Sequence, residues 1–300
     1  MEPETIQPTE PSSSQRIIPA IIVGIVVLVG IFFVYQATCA KLNTLPKQSP
    51  LRESLFLVES RGKLTLSKIG SCGIKKINYR GLIPIEVARA GDVTVGLFIN
   101  RLGKTDVYEI KERGQPELLT DDGENKTNLA LSPDGKLFAF TRGAGENQEI
   151  KIVTLSKLNE VVTVGFGSNV QFLDNETIFY LSPHGFALKN TRTGNGSELR
   201  DSSALDYRKF FVVGLNDTFA VQNPLISQVD IFKITSRIPL FFEPSQNIYG
   251  KFEAVSISSG IFYGVHRDVN GNYILVTNLG DTLQTIFTFP QNSTPKDLIE

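Results

Sequence analysis

Enzyme chemistry needs a nucleophile beside a base, a set of metal-ligating side chains, or paired carboxylates at a workable separation. Few residues here meet that need. His184, in Pro183-His184-Gly185, and His266, beside Arg267 and Asp268, are each capable of general-base work, but their settings read as those of surface histidines. Asp121, Asp122 and Glu124 form an acidic cluster whose plainer account is solvated loop charge. Asp268, Asn270 and Asn272 alternate along one short segment, an interval at which oxygen ligands hold calcium in some loops. Gly271 and the single formal charge point instead to an Asn-Gly turn. Glu86, Arg89, Lys209 and Glu253 occupy polar positions that could line a water-filled channel and hold a small ligand. No residue is assigned a catalytic, cofactor-binding or metal-ligating role, and no cofactor is expected.

Composition bounds the scaffold that holds these residues. The 300 residues carry 30 basic and 31 acidic side chains, a formal charge of -1, so no global field draws a polyanion and no nucleic-acid partner is expected. Apolar types at 41% and charged types at 20% are those of an ordered globular chain. Two cysteines, Cys39 and Cys72, and two histidines exclude a multi-cysteine zinc centre and a disulfide framework. Lys75, Lys76 and Arg80 read as the solvated face of an outer strand. Asn125, Asn175, Asn195, Asn216 and Asn292 begin Asn-x-Ser/Thr triplets, which Asn-rich turns also generate.

Residues 17–40 hold no charged side chain, and IIPAIIVGIVVLVGIFFVY, residues 17–35, is almost wholly apolar. About twenty such residues at 1.5 Å each cross the hydrocarbon layer as a helix that satisfies its own backbone. The run exceeds the length of a signal-peptide core, so an uncleaved anchor is expected ahead of a cleaved signal, and a lipoprotein at Cys39 ranks third. Residues 1–16 read as a disordered tail and 41–300 as one folded domain. Arg16 on one flank against Lys41, Lys47 and Arg52 on the other favours a cytoplasmic domain by charge count.

Beyond residue 40 the texture is one of short strands broken by Gly, Asn, Asp and Pro, and it repeats. An apolar strand centred on Phe recurs at Phe56, Phe98, Phe138, Phe179, Phe219 and Phe262, with spacings of 42, 40, 41, 40 and 43. An alternating strand follows each one, at Leu64, Val107, Ile150, Phe186, Val229 and Ile274. Further strands flank most pairs, giving four per unit, the signature of a propeller blade. Six units of about 42 residues fill 41–300. The expected fold is all-β: a six-bladed β-propeller preceded by one N-terminal transmembrane helix. The repeated Phe is expected to fill the space between blades. Closure of the ring is open between residues 296–300 and residues 42–48 as the inner strand of the first blade.

The stretch NLALSPDGKLFAFTRGAGENQEIKIVTL, residues 128–155, carries Ser132-Pro133-Asp134-Gly135-Lys136 followed by an apolar strand, a Gly-rich loop and an alternating strand. It closely resembles the repeat of TolB-like propellers, with degenerate copies at Asp174-Asn175-Glu176-Thr177, Asn216-Asp217-Thr218 and Ser49-Pro50. The chain has no Trp, so the Trp-Asp signature of the WD-repeat class is missing. The resemblance implies a protein-binding platform, often in the periplasm or outside the cell, and no reaction. It sets the expected side as extracytoplasmic, against the flanking-charge count. Propellers of this kind also precede the hydrolase domain of prolyl oligopeptidase-like peptidases, but no Gly-x-Ser-x-Gly elbow is present. The expected function is a membrane-anchored, non-catalytic propeller that binds membrane lipid through its helix and a protein or peptide through its ring. A channel-mouth ligand binder or lyase- or glycosidase-type enzyme stands second, and a cytoplasmic scaffold third.

Overall fold

The computed structural model describes residues 55–299 apart from 62, 71–72, 80, 112–113, 144–147, 201–209, 214–216, 224–226, 259–260, 280–281, 290 and 292. The expected span at 17–40, the tail before it, Cys39, Cys72, Arg80, Lys209, Asn216 and Asn292 lie outside the described residues. No helix among the described residues is long and apolar enough to cross a membrane.

The described chain is all strand and turn. β1 (Leu55–Ser60), β2 (Lys63–Gly70) and β3 (Gly73–Ile77) begin the first sheet. The second holds β4 (Ile83–Ala90), β5 (Val93–Ile99), β6 (Thr105–Glu109) and β7 (Glu117–Leu118), and the third β8 (Lys126–Leu131), β9 (Leu137–Arg142), β10 (Glu149–Thr154) and β11 (Lys157–Phe166). The fourth holds β12 (Ser168–Phe172), β13 (Thr177–Ser182), β14 (Gly185–Asn190) and β15 (Gly196–Arg200). The fifth holds β16 (Phe210–Val213), β17 (Thr218–Asn223), β18 (Gln228–Arg237) and β19 (Leu240–Tyr249), and the sixth β20 (Phe252–Ser258), β21 (Ile261–Arg267), β22 (Tyr273–Leu279) and β23 (Thr282–Thr288). β24 (Thr294–Ile299) returns to pair antiparallel with β1, so the first sheet runs β24-β1-β2-β3. The innermost strands β24, β4, β8, β12, β16 and β20 touch in succession, and β20 touches β24. The result is a closed six-bladed propeller, shut by residues 294–299.

Each small sheet has two apolar faces, and strand alternation sends successive side chains to opposite neighbours. In the third blade Phe138 and Phe140 pack with Val95 and Leu97 of the second, while Ala139 packs with Val170 and Ile178 of the fourth. Phe98 meets Tyr79 edge-on at 5.4 Å, Phe219 lies 4.8 Å from Phe179, and Phe56 meets Phe289 at 5.5 Å. The repeated Phe does fill the seams between blades, with one departure. Phe56, Phe98, Phe138, Phe219 and Phe262 face the preceding blade, but Phe179 faces the following one, and Ile178 takes the equivalent place. A one-residue offset in a period of two reverses the face. The seam between the fourth and fifth blades therefore gathers Phe179, Phe186, Phe219, Phe232 and Phe242 in one cluster.

The turn chemistry of Ser132-Pro133-Asp134-Gly135-Lys136 closes the β8–β9 hairpin. The Ser132 amide donates to the Leu137 carbonyl at 2.8 Å, and the Asp134 carboxylate accepts the Ser132 hydroxyl at 2.8 Å and the Lys136 amide at 3.2 Å. Gly135 has φ +69°, and a Cβ there would sit 3.0 Å from Val93, so glycine is required twice over. Asp174 repeats the arrangement, accepting the amides of Glu176 and Thr177 at 2.9 and 2.7 Å.

Bulges interrupt β4, β8, β12, β20 and the β24–β1 pairing, each near the same place along an innermost strand. At two of them Asn128 and Asn169 take left-handed backbone, with φ +53° and +51°. The Asn128 side-chain oxygen accepts the Asn169 amide at 3.2 Å and the Thr141 hydroxyl at 3.1 Å, linking neighbouring blades at the wall of the channel. A bulge turns a side chain out of the pleat, and here it satisfies a backbone donor that the extra residue leaves unpaired.

Candidate functional site

Blade-to-blade hydrogen bonds define two ends of the ring. At the upper end the β5–β6 hairpin meets the connection into β8, where the Thr105 hydroxyl donates to the Lys126 carbonyl at 2.9 Å. The β9–β10 hairpin likewise meets Gly167, whose amide donates to the Gln148 carbonyl at 2.8 Å. At the lower end the Asp134 amide donates to the Asn175 side chain at 3.0 Å. Arg237 also lies there, bonding Asp174 and Asp217 at 2.5 Å each and so clamping the fourth and fifth blades.

The densest polar constellation is at the upper end, between the second and third blades. Lys126, at the first position of β8, is 0% exposed, yet its Nζ has three acceptors: Asp106 Oδ1 at 3.0 Å, Asp122 Oδ1 at 2.5 Å and the Glu124 carbonyl at 2.9 Å. An ammonium has three N–H donors, so it is fully satisfied. The Phe140 ring lies 5.8 Å from the same nitrogen and adds a cation–π attraction. Arg142 continues the seam, with Nη2 on Glu149 Oε2 at 2.8 Å and Nε 3.4 Å from Glu124. Lys151 reaches Glu149 at 2.9 Å and donates to the Thr163 hydroxyl at 2.5 Å. Four carboxylates face three cations.

Burial pushes the Asp122 carboxyl up, but the Lys126 hydrogen bond, the Glu124 amide and the charges of Lys126 and Arg142 outweigh it and hold its pKa below the usual carboxylate range. Lys151, then Arg142, holds Glu149 down as well. At the lower end the hydrogen bonds of Ser132 and Lys136 lower Asp134, and those of Arg237, Glu176 and Thr177 lower Asp174, each against the opposing effect of burial. Groups with depressed folded pKa values bind protons less readily folded than unfolded. The stability they contribute is complete above the unfolded carboxylate pKa near 4 and is lost as pH falls through the folded values. The thermal midpoint is therefore expected to be level from about pH 8 to pH 5 and to drop below about pH 4. Differential scanning fluorimetry across that range checks it, and a midpoint that rises on acidification contradicts it.

The acidic cluster read from sequence divides here. Asp122 and Glu124 belong to the charged seam, whereas Asp121 is exposed. His184 is exposed in the β13–β14 turn and supplies only its backbone N–H to the Ser182 hydroxyl, which itself donates to Glu198. The imidazole takes no part, so these three residues form no serine–histidine–acid relay. His266 lies two blades away, its Nδ1 2.9 Å from the Arg267 carbonyl and its ring edge against Phe252.

Asp268, Asn270 and Asn272 do come together, as a turn. The Asp268 carboxylate accepts the amides of Asn270 and Asn272 at 2.9 and 2.8 Å, and Gly271 has φ +79°. Those amide bonds, the Asn272 amide foremost, lower the Asp268 pKa. No group of three or more His, Cys, Asp or Glu among the described residues could hold a metal ion. Glu86 and Arg89 lie on the innermost strand β4 and Glu253 on β20, with β24 between those strands. Lys75 and Lys76 are exposed on outermost β3, and Asn125, Asn175 and Asn195 are exposed in connections. Sequence reasoning missed Lys126, Asp106 and Arg237, whose partners lie on neighbouring blades, and Arg142 and Glu149, which pair across adjacent strands of one blade.

No family model matches the chain, and no curated protein matches it. Solved structures do. TolB from Acinetobacter baumannii superposes with TM-score 0.59 at 15% identity over 88% of this chain and 70% of that one. A chain of the nidogen/laminin complex gives 0.58 at 10% identity over 82% and 97%, and a Lactobacillus plantarum protein 0.51 at 16% over 82% and 84%.

The chain has the fold of a TolB-like six-bladed β-propeller.

At these identities the likeness is one of fold, and what the TolB-like ring does must be argued from its own surface. Its charged seam pairs each cation with a carboxylate, and at the buried centre Lys126 ties the second blade to the third.

Proposed function

We propose that the chain is a membrane-anchored, non-catalytic propeller, held by residues 17–40, whose outer rim binds an extended segment of a protein or peptide outside the cytoplasm. The observation that carries this reading is the outermost strand of the third blade. β11 is ten residues long, and Leu158, Val161, Val162 and Phe166 along it are 36–53% exposed. Its stretch Val161–Phe166 contains no charge and no proline.

Exposed sheet edges are normally protected against strand addition. β3 carries Lys75 and Lys76, β7 has two residues, β15 carries Glu198 and Arg200, and β19 is broken by Pro244. β11 confines its charges, Lys157 and Glu160, to its first four residues, and β23 carries none but exposes one large apolar side chain, Leu283, against four on β11. An unprotected edge offers a row of backbone donors and acceptors to an incoming strand, with the apolar side chains supplying area. The nidogen/laminin structure is a complex, so a ring of this fold is compatible with engaging another protein.

A photo-crosslinking residue at Val162 in native membranes is expected to capture a protein, whereas one at Glu198 on β15 is expected to capture none. Val161→Lys beside it should weaken that capture about tenfold by charging the edge. Equal labelling at both positions, or none at Val162, rules the rim out. The side is tested separately: an added protease is expected to digest the propeller from outside intact cells, against the charge count of Arg16, Lys41, Lys47 and Arg52.

A further inference from the structure

The β21–β22 hairpin and the segment leading into β24 face each other across a cleft of about 390 Å³ at the upper end. Arg267, Asn272 and Tyr273 line one side, and Gln291, Ser293 and Thr294 the other. That volume falls within the range of small-molecule sites, roughly 300–1,000 Å³. Both walls are held in place. The hairpin is braced by the Asp268 turn, and the far wall is drawn in by Thr294 pairing opposite Glu59 of β1.

The guanidinium of Arg267 lies 4.7 Å from the centre of the Tyr273 ring, and its Nη2 donates to the Tyr273 hydroxyl at 2.7 Å. The phenol keeps its own hydrogen to donate. Asn272 gives its amide nitrogen to Asp268 at 3.3 Å, which leaves its side-chain oxygen as an acceptor. Gln291, Ser293 and Thr294 each carry both a donor and an acceptor. The lining is therefore a mixture of donors and acceptors on planar or hydroxylic groups. Among the described residues Arg267 is the one charged group of the lining, and the carboxylates of Glu253 and of Asp268, next to it in the chain, offset it.

An anion uses donors alone and would set its lone pairs against the acceptors of Asn272 and Gln291 and the field of two carboxylates. Vicinal hydroxyls donate and accept at once, and satisfy both kinds of partner without charge. We propose that this cleft binds a neutral saccharide of one or two sugar units. The inference does not depend on the partner assigned to β11, and failure of crosslinking at Val162 leaves it untouched.

The full chain is titrated by calorimetry and saturation-transfer NMR with N-acetylglucosamine, its β-1,4-linked disaccharide, maltose and cellobiose, with gluconate as an anionic counterpart. Saturable one-to-one binding of at least one neutral sugar is expected, with gluconate at least about tenfold weaker. Arg267→Met on one wall and Gln291→Ala on the other are each expected to weaken that binding about tenfold. Both side chains are exposed, so the thermal midpoint should not move. Failure of all four sugars to saturate overturns the proposal, as does gluconate binding as tightly as the best sugar, or affinity unchanged in both variants.

Discussion

Lys126→Ala is expected to destabilise the propeller by about 3–5 kcal/mol, the range for breaking a buried ion pair by removing one partner. The residue is wholly buried, Asp106 beneath it has a side chain 4% exposed, and the substitution leaves that buried carboxylate without its ammonium. The Glu124 carbonyl also loses its donor, and Phe140 loses the aliphatic stem and the charge above its ring. Equilibrium denaturation in urea measures the loss. The double variant Lys126→Met, Asp106→Asn tests the cause, because it removes both charges while keeping most of the volume. If electrostatics dominate, Lys126→Met alone is about as unstable as Lys126→Ala, and adding Asp106→Asn recovers stability. If Lys126→Met alone is already as stable as the double variant, lost packing is the cause and the charged seam is incidental.

Deleting residues 294–300 is expected to cost most of the stability of the ring, on the order of the 5–15 kcal/mol by which such domains are stable at all. β24 supplies the innermost strand of the first blade and touches the innermost strands on both sides. Without it, the backbone edge of β1 is uncovered and Leu55, Phe56, Leu57 and Val58, all buried, face solvent or a gap. The Lys296–Glu59 pair at 3.2 Å goes as well, but its side chains are about 40% exposed and it contributes little. A broad, non-cooperative thermal transition, with binding of a hydrophobic dye at room temperature, is the expected readout. An unchanged sharp transition in the truncated chain refutes the closure.

The number of blades was legible because it rests on spacing. Phe98, Phe138 and Phe219 keep nearly the same interval, and a β strand needs only local alternation to declare itself. The reversal at Phe179 was hidden, since Ile178 and Phe179 are both apolar and either satisfies the interval to within one residue. Face is decided by the register of Thr177 opposite Asn190, which the interval does not carry. The charged seam was illegible for a different reason. Asp106 and Lys126 are 20 positions apart and lie on neighbouring blades, so each looks like an ordinary charge in a strand until the sheets stack. Asp174 and Arg237, 63 positions apart, are the same case. The cleft of Arg267 and Gln291 is more remote still from any pattern, because its second wall exists only once β24 has turned back to β1.

The strand that shuts the ring is made some 240 residues after the strand it pairs with, from Leu55 to Thr294. At about 5–20 residues per second of synthesis, β1 waits roughly 10–50 s for its neighbour. During that interval a growing chain displays an open apolar seam that nothing of its own yet covers. Biogenesis is thus the vulnerable phase of this molecule's life.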